Sequence, residues 1–403
     1  MRIALLVMIE PGGAESLMPR AMLRVCGETV ARRQLALAQS LECRRVICLA
    51  RSLSAGVIDL QHAAEASGMA FTVVTAPSGL MSQVTANDEL VVFSDGVLAS
   101  SEAVADIVGA GHVVAVQPIE SGMAAGFERI DINHASAGLM RIPGRLLELL
   151  AELPADCDVP SALTRIALQA GVAMKDVPAS AREQAGWLLI RNEADAHLAE
   201  DALIGAQVRA WDVMTPGLLL SRAGVTAFGP SLLHGGHGST SLALGCFVLL
   251  ATALGAGWFG MTTAGFVFVG LAWIVLKAMT MVQLLEQSAM ARGTLPQLQD
   301  ALLGWIIDIT IIVLVVWRSP MLPWDAPVDR VFEPLILIGV LRLLEKSLAK
   351  PLSTWCGDRS LLALLLGLAA LSDALGAGVR LLALGLTFGG LALAGGLARL
   401  TRN

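Results

Sequence analysis

Residues 301–317 read ALLGWIIDITIIVLVVW, an apolar run with a single charge, Asp308. A helix crossing a bilayer core of about 30 Å needs about 20 apolar residues at about 1.5 Å each. This run supplies most of one span. It continues a longer region of the same kind, since residues 241–317 hold only Lys277, Glu286, Arg292, Asp300 and Asp308 as charges. Counting onward with a window of about 17–25 residues predicts six spans, at roughly 239–259, 261–283, 300–317, 332–350, 360–376 and 379–398. In the fourth, the largely apolar part PLILIGVLRLL, which contains Arg342, is short and is bracketed by Glu333 and Glu345. An interfacial helix is its alternative reading.

Of the 403 residues, 55% are hydrophobic and 15% charged, where a soluble domain carries about 25% charge. A wholly soluble protein is excluded as the default. A net charge of -6 with no basic patch argues against nucleic acid as a partner. The six cysteines form no C-x-x-C pair, so neither a zinc ribbon nor a disulfide framework is read. With a cytoplasmic amino-terminal domain and six spans, inside loops hold Arg292, Lys346, Lys350, Arg359, Arg399 and Arg402, and outside loops Arg318 and Arg330. That bias obeys the positive-inside rule and predicts a multi-pass protein of the inner (cytoplasmic) membrane with both termini in the cytoplasm.

The first half has another texture. Short apolar runs, IALLVMI, RRVICLA, AFTVV, ELVVFSDG and HVVAVQ, alternate with helical patterns such as ETVARRQLALAQSL and AGVIDLQHAAEAS. Buried strands alternating with helices predict a three-layer α/β domain with a parallel sheet. The chain is thus expected to be multidomain: residues 1–185 the cytoplasmic α/β domain, 186–238 a linker with a membrane-surface helix, and 239–403 an all-α six-span transmembrane domain. An irregular connection is the alternative for 186–238.

Three segments of the first half carry chemistry. After the first strand comes Glu10-Pro11-Gly12-Gly13-Ala14-Glu15, then Leu17, Pro19 and Arg20. Glycine N–H groups approach phosphates closely and a basic residue adds charge, which makes Gly12, Gly13 and Arg20 candidate phosphate contacts. Asp95 ends the strand ELVVFSDG, where open α/β sheets bind ligands. Glu128, Asp131 and Asn133 in FERIDIN lie near another strand. In the membrane half, Asp308 is costly at that depth unless paired. It is read either as a functional carboxylate or as a packing residue, with Arg342 as its possible partner. His234 and His237 read as a loop at the membrane surface, and Gly385-x-x-x-Gly389 as helix packing or a homodimer contact.

The order of glycine turn, Pro-basic pair, helix, R-R-V strand and strand-Asp-Gly resembles the nucleotidyltransferases that activate sugar or polyol phosphates with CTP or GTP. The resemblance covers about residues 1–185. It implies that Arg20 takes the place of the family lysine and that Asp95, with Asp131 as a further candidate, binds Mg²⁺ or Mn²⁺. Glu10 and Glu15 stand where neutral small residues are usual, and Ser16 where an arginine is expected. About residues 205–403, with Gly304-x-x-x-Asp308, resemble the CDP-alcohol phosphotransferases. The combination is similar to the bifunctional inositol-phosphate cytidylyltransferase and di-myo-inositol phosphate phosphate synthase type. That resemblance implies a CDP-alcohol ligand, with Asp308 as metal ligand and catalytic residue and Arg292 in the Ala291-Arg292 pair as a catalytic residue. Of the four carboxylates of the pattern only Asp308 survives, because Leu284, Gln287 and Ile312 fill the other positions.

Two functions follow as expectations. The first, favoured because both halves lack charges their chemistry needs, is a catalytically impaired or silent relative in phospholipid or polyol-phosphate metabolism, binding membrane lipids, CTP or a CDP-alcohol, or supporting a partner. The second is an active transferase moving a phospho-alcohol group to a lipid or polyol hydroxyl. A transporter is weaker, since only Asp308 marks a pathway.

Overall fold

In the computed structural model of the chain, the amino-terminal apolar run is strand β1 (Arg2–Met8). The structure describes residues 1–13, 16, 18–109, 111–154, 157–209, 215–234, 238–289, 295–319 and 327–400. Side chains are described for these except 207–209, 230–234, 285–289, 295–298, 327–329 and 393–400. Two compact units result: Met1–Ala206 with Leu284–Arg292, and Gln207–Gln283 with Gly293–Asn403.

The first unit contains the short hairpin β2 (Arg24–Val25) and β3 (Glu28–Thr29), followed by β4 (Arg45–Ala50), β5 (Ala70–Val74), β6 (Glu89–Phe93), β7 (Val97–Ala99), β8 (Val113–Pro118), β9 (His134–Pro143), β10 (Ala173–Asp176) and β11 (Trp187–Leu189). Seven strands form one sheet in the order β10-β8-β9-β6-β1-β4-β5. The predicted runs become β1, β4, β5, β6 and β8. The sheet is not wholly parallel as expected, because β9 runs antiparallel to both β6 and β8. Between β8 and β9 the only helix is α5 (Ile119–Ala124), too short for the crossover that a parallel return needs.

Alternation along the central strand builds two cores. Ala4, Leu6 and Met8 face one side with Leu35 and Ala38 of α1 (Val30–Ser40), Leu60 and Ala64 of α2 (Ala55–Ala66), and Val104 and Ile107 of α4 (Ser101–Gly109). Ile3, Leu5 and Val7 face the other with Leu80 of α3 (Pro77–Met81), Leu146 and Leu150 of a 3₁₀ segment, and Leu163 and Ile166 of α6 (Val159–Gln169). Helices thus cover both faces of the sheet, giving three layers. The unit runs on past residue 185: α7 (Ala179–Glu183) leads to β11, which pairs with β7, and Glu200 of α8 (Glu193–Arg209) accepts the backbone N–H of Cys26 at 2.7 Å.

The second unit is helical: α9 (Pro216–His234), α10 (Gly238–Trp258), α11 (Thr262–Ala289), α12 (Leu295–Arg318), α13 (Pro327–Ser347), α14 (Leu352–Gly357), α15 (Arg359–Leu371) and α16 (Leu375–Leu400). Its core joins Leu250, Phe266, Val269, Leu276, Ile307, Leu314, Leu341 and Leu366. Outward lie Phe247, Val248, Ile309, Leu381, Leu384 and Phe388, all exposed. A helix apolar on both faces suits a lipid surround. Close approach is enforced at Gly257, where a Cβ would fall 2.3 Å from Leu314 Cδ2.

Six spans were expected; four helices among the described residues are long and apolar enough to cross a membrane, at Gly238–Trp258, Thr262–Leu284, Gln299–Arg318 and Leu375–Ala392. The predicted fourth and fifth fail for different reasons. α13 carries Asp329, Arg330, Glu333, Arg342, Glu345 and Lys346. α15 has 13 residues, a rise of about 20 Å against a core of about 30 Å.

Candidate functional site

At the carboxyl ends of β1 and β6 the α/β unit opens into a cavity of about 940 Å³ whose lining includes Glu10, Arg20, Asp95, Glu128, Arg165 and Arg191. Asp95 sits where β6 ends because Gly96 turns the chain at φ +75, and a Cβ there would meet Ile190 O at 2.3 Å and Arg20 Cδ at 2.7 Å. Gln34, buried in α1, clamps this turn by donating to the carbonyls of Ser94 at 3.0 Å and Val97 at 2.9 Å.

Asp95 is 5% exposed. Its Oδ2 accepts the Glu10 N–H at 2.7 Å, while its buried Oδ1 has no hydrogen-bond donor within 3.5 Å among the described residues. Burial pushes this carboxyl up to about 7, against the Glu10 N–H and the Arg20 charge, which favour the anion. An orphaned acceptor of this kind is costly unless a ligand completes it.

The loop after β1 is closed on itself. Pro11 bridges to Pro19, the Gly12 N–H donates to Met18 O at 2.8 Å, and the Arg20 N–H donates to Glu10 O at 2.8 Å. Arg20 Nη2 also donates to Glu10 Oε2 at 3.0 Å. Arg20 lines the cavity with its charge already engaged, whereas Gly12 is not part of the lining and its N–H is spent on Met18. Gly13 lies in the same loop at φ +144. Glu15 and Leu17 lie outside the described residues.

Asp131 is not brought to Asp95. It forms a separate surface turn in which it accepts the N–H groups of Asn133 and His134, each at 2.7 Å, and faces His134 Nδ1 at 3.0 Å. The His134 hydrogen bond, with the Asn133 N–H, holds its carboxyl below the usual range. Among the described residues no group of three or more His, Cys, Asp or Glu gathers as a metal centre. On the far wall of the cavity stands Glu128, singled out in sequence, which accepts from Ser161 Oγ; sequence reasoning passed over its neighbours Arg191, paired with Asp195 at 2.7 Å, and Arg165, which stands exposed. The charged residues of this wall are scattered along surface helices and turns, which gave no motif.

In the helical unit Asp308 is 1% exposed and both of its oxygens are taken. Arg359 Nε donates to Oδ1 at 2.8 Å and Arg342 Nε to Oδ2 at 2.7 Å. Arg359, also 1% exposed, donates further to Cys356 O at 2.9 Å and to Glu345 Oε2 at 3.4 Å. Two guanidinium groups on one carboxylate repel a divalent cation, so the geometry favours the paired reading of Asp308 over that of metal ligand and catalytic residue, with Arg342 as anticipated and Arg359 as an unforeseen second partner. Arg292, the other residue assigned to this chemistry, lies outside the described residues, as does His237; the side chains of Gln287 and His234 do too.

No protein-family model matches the chain and no curated protein does. Among 173 similar solved chains is one described as a glucose-1-phosphate thymidylyltransferase of Bacillus anthracis in complex with a sucrose, 13% identical with a TM-score of 0.40 over 50% of this chain and 95% of that one. Another is a UDP-glucose pyrophosphorylase from Acinetobacter baumanii, 11% identical with a TM-score of 0.39 over 53% of this chain and 95% of that one.

Proposed function

We propose that the chain is a membrane-anchored protein whose α/β unit binds a nucleoside triphosphate with a divalent cation in the manner of a nucleotidyltransferase, and that it turns this ligand over weakly. The observation that carries the reading is Asp95, whose buried Oδ1 has no donor among the described residues, in a cavity at the carboxyl end of β6 that Glu10, Arg20 and Arg165 also line. One carboxylate with substrate phosphates suits Mg²⁺, which keeps several waters and needs no all-protein cage. Mn²⁺ favours similar oxygen ligands. Such an ion supplies neutralisation of the phosphate charge as an attacking oxygen displaces pyrophosphate.

The chain's own residues account for both binding and weakness. Asp95 would hold the cation, and Arg20 and Arg165 would face the phosphates. Glu10, however, holds Arg20 and adds a negative charge to the same cavity, which repels a triphosphate. The Gly12 N–H, spent on Met18, is withheld from the phosphates. A CTP-like ligand and a phosphorylated polyol or sugar remain the proposed substrate classes, and the helical unit is proposed as the anchor that keeps this site near lipid. Transfer from a CDP-alcohol by the helical unit draws no support from Asp308, whose oxygens are occupied.

The test uses the full chain in detergent. Bound Mn²⁺ followed by electron paramagnetic resonance should appear with the chain, tighten with CTP and vanish in Asp95→Asn. Absence of Mn²⁺ binding by the unaltered chain overturns the reading. Pyrophosphate release from CTP and a polyol phosphate at rates typical of enzymes would replace weak turnover with the active alternative.

A further inference from the structure

We propose that Arg342 and Lys346 form a binding site for the phosphate of an anionic membrane lipid, and that Asp308 is the residue that positions Arg342 for it. An arginine carries five N–H donors in a planar fork. Asp308 takes one from Arg342, the Nε–H. The sister residue Arg359 spends its fork on Asp308, Cys356 O and Glu345 and is sealed from solvent. Arg342 differs: its Nη donors have no hydrogen-bond partner among the described residues, and its side chain is 25% exposed. Its guanidinium carbon lies 4.5 Å from the Trp305 ring centroid. With one face on the indole and the Nε edge on Asp308, the Nη edge is left without a hydrogen-bond partner among the described residues, and Nη2 lies 3.5 Å from where a Cβ on Gly304 would stand. A fixed guanidinium edge matches a phosphate with two parallel hydrogen bonds.

Charge and setting agree. Asp308, Arg342, Arg359 and Glu345 sum to zero, so this partly buried cluster is neutral before any ligand arrives. Lys346 lies one helical turn beyond Arg342 on the same face of α13, and Lys350 follows the helix. Both are exposed, and neither forms an ion pair among the described residues. They are the surplus cations. Arg342 stands five residues before the end of α13 at Ser347, about 7.5 Å of rise, within the reach of a snorkelling arginine. Exposed Trp305 and Trp355 mark the level where aromatic rings meet lipid head groups. Leu302, Ile309 and Leu343, at 63%, 56% and 64% exposure, present apolar surface beside the cations. A free phosphate has no use for that surface, whereas a lipid places its acyl chains on it. Basic pockets beside membrane helices hold anionic head groups in this way.

The full chain, purified in mild detergent, is given phosphatidylglycerol, phosphatidylcholine or inorganic phosphate, and retained lipid is counted by native mass spectrometry alongside the thermal unfolding midpoint. Phosphatidylglycerol should be retained and should raise the midpoint, with the other two near baseline. Arg342→Lys keeps one charge on Asp308 but loses the fork, and Lys346→Gln alters an exposed residue outside the core. Each should weaken phosphatidylglycerol retention about tenfold, equivalent to about 1.4 kcal/mol. Asp308→Asn should weaken it as well, and a simple packing role for Asp308 would lower the midpoint without changing lipid preference. Equal retention of the two lipids, or unchanged retention in the folded Lys346→Gln chain, overturns the site. Protection by inorganic phosphate equal to that by the lipid overturns the lipid as its occupant.

Discussion

At the scale of single residues, the α/β unit turns on how Asp95 and Glu10 share one arginine. Because burial lifts the Asp95 carboxyl to about 7, while an unfolded aspartate titrates near 4, the native state holds an extra proton between those limits. The stability this group contributes is complete below about pH 4 and is lost as pH rises towards 7, with a slope of up to about 1.4 kcal/mol per pH unit. Denaturation of the full chain across this range should show that slope, and Asp95→Asn should flatten it. Cation affinity should run the other way, rising from pH 6 to 8 as the carboxylate forms, which a Mn²⁺ titration at each pH checks. Glu10→Gln removes the charge that holds Arg20, so tripolyphosphate should bind at least about threefold more tightly by calorimetry. An unchanged affinity would show that Glu10 does not restrain the arginine. Asp95 was legible in sequence because an apolar strand ending in Asp-Gly leaves few other readings. Arg359 was not, since an arginine before an apolar run looks like a loop charge and its partner Asp308 lies 51 residues away.

At the scale of elements, the strands were legible wherever both faces are buried, since β1, β4 and β6 are continuous β-branched or leucine-rich runs. β9 was harder to place: His134, Ser136 and Arg141 interrupt its apolar pattern, and its antiparallel sense depends on the brevity of the preceding connection. Helices occur near all six predicted spans, but helicity and membrane crossing are separate properties. The first follows from periodicity and the second from length and charge. One buried aspartate, Asp358, ties two helices by their starts. Its Oδ2 accepts the Gly217 N–H of α9 at 2.9 Å, and its Oδ1 accepts the Ser360 N–H of α15 at 2.9 Å. Any side chain at Gly217 would press on this carboxylate, with a Cβ 2.6 Å from Oδ1. Asp358→Ala uncaps both helices and should cost about 2 kcal/mol or more, at about 1 to 2 per cap. Unfolding of the detergent-solubilised chain measures it, and a loss near zero would mean that water replaces the cap at no cost.

At the scale of the whole molecule, the sequence divides into a half rich in charges and a half nearly free of them, and the two compact units follow that division closely. If the four candidate helices each cross, the chain returns to the side it started from, as it would with six. Tags at the two ends should therefore be protected from, or open to, an impermeant protease together in sealed vesicles. Opposite exposure would require an odd number of crossings. The second half is where sequence reading was least complete, because an apolar alphabet of Leu, Ala and Gly repeats in every helix and only the few charged residues distinguish one contact from another.

The Asp308 cluster also constrains the order of events during synthesis. Translation delivers Asp308 34 residues before Arg342 and 51 before Arg359, so α12, a candidate span, would meet a bilayer with a carboxyl group whose counter-charges do not yet exist. Until α13 and α15 arrive, that helix is a marginal passenger, able to retreat or to be recognised as incomplete. A chain stopped after α12 should be cleared from cells faster than the full chain, and Asp308→Leu should prolong the lifetime of the truncated chain while shortening that of the complete one, as pulse-chase labelling would record.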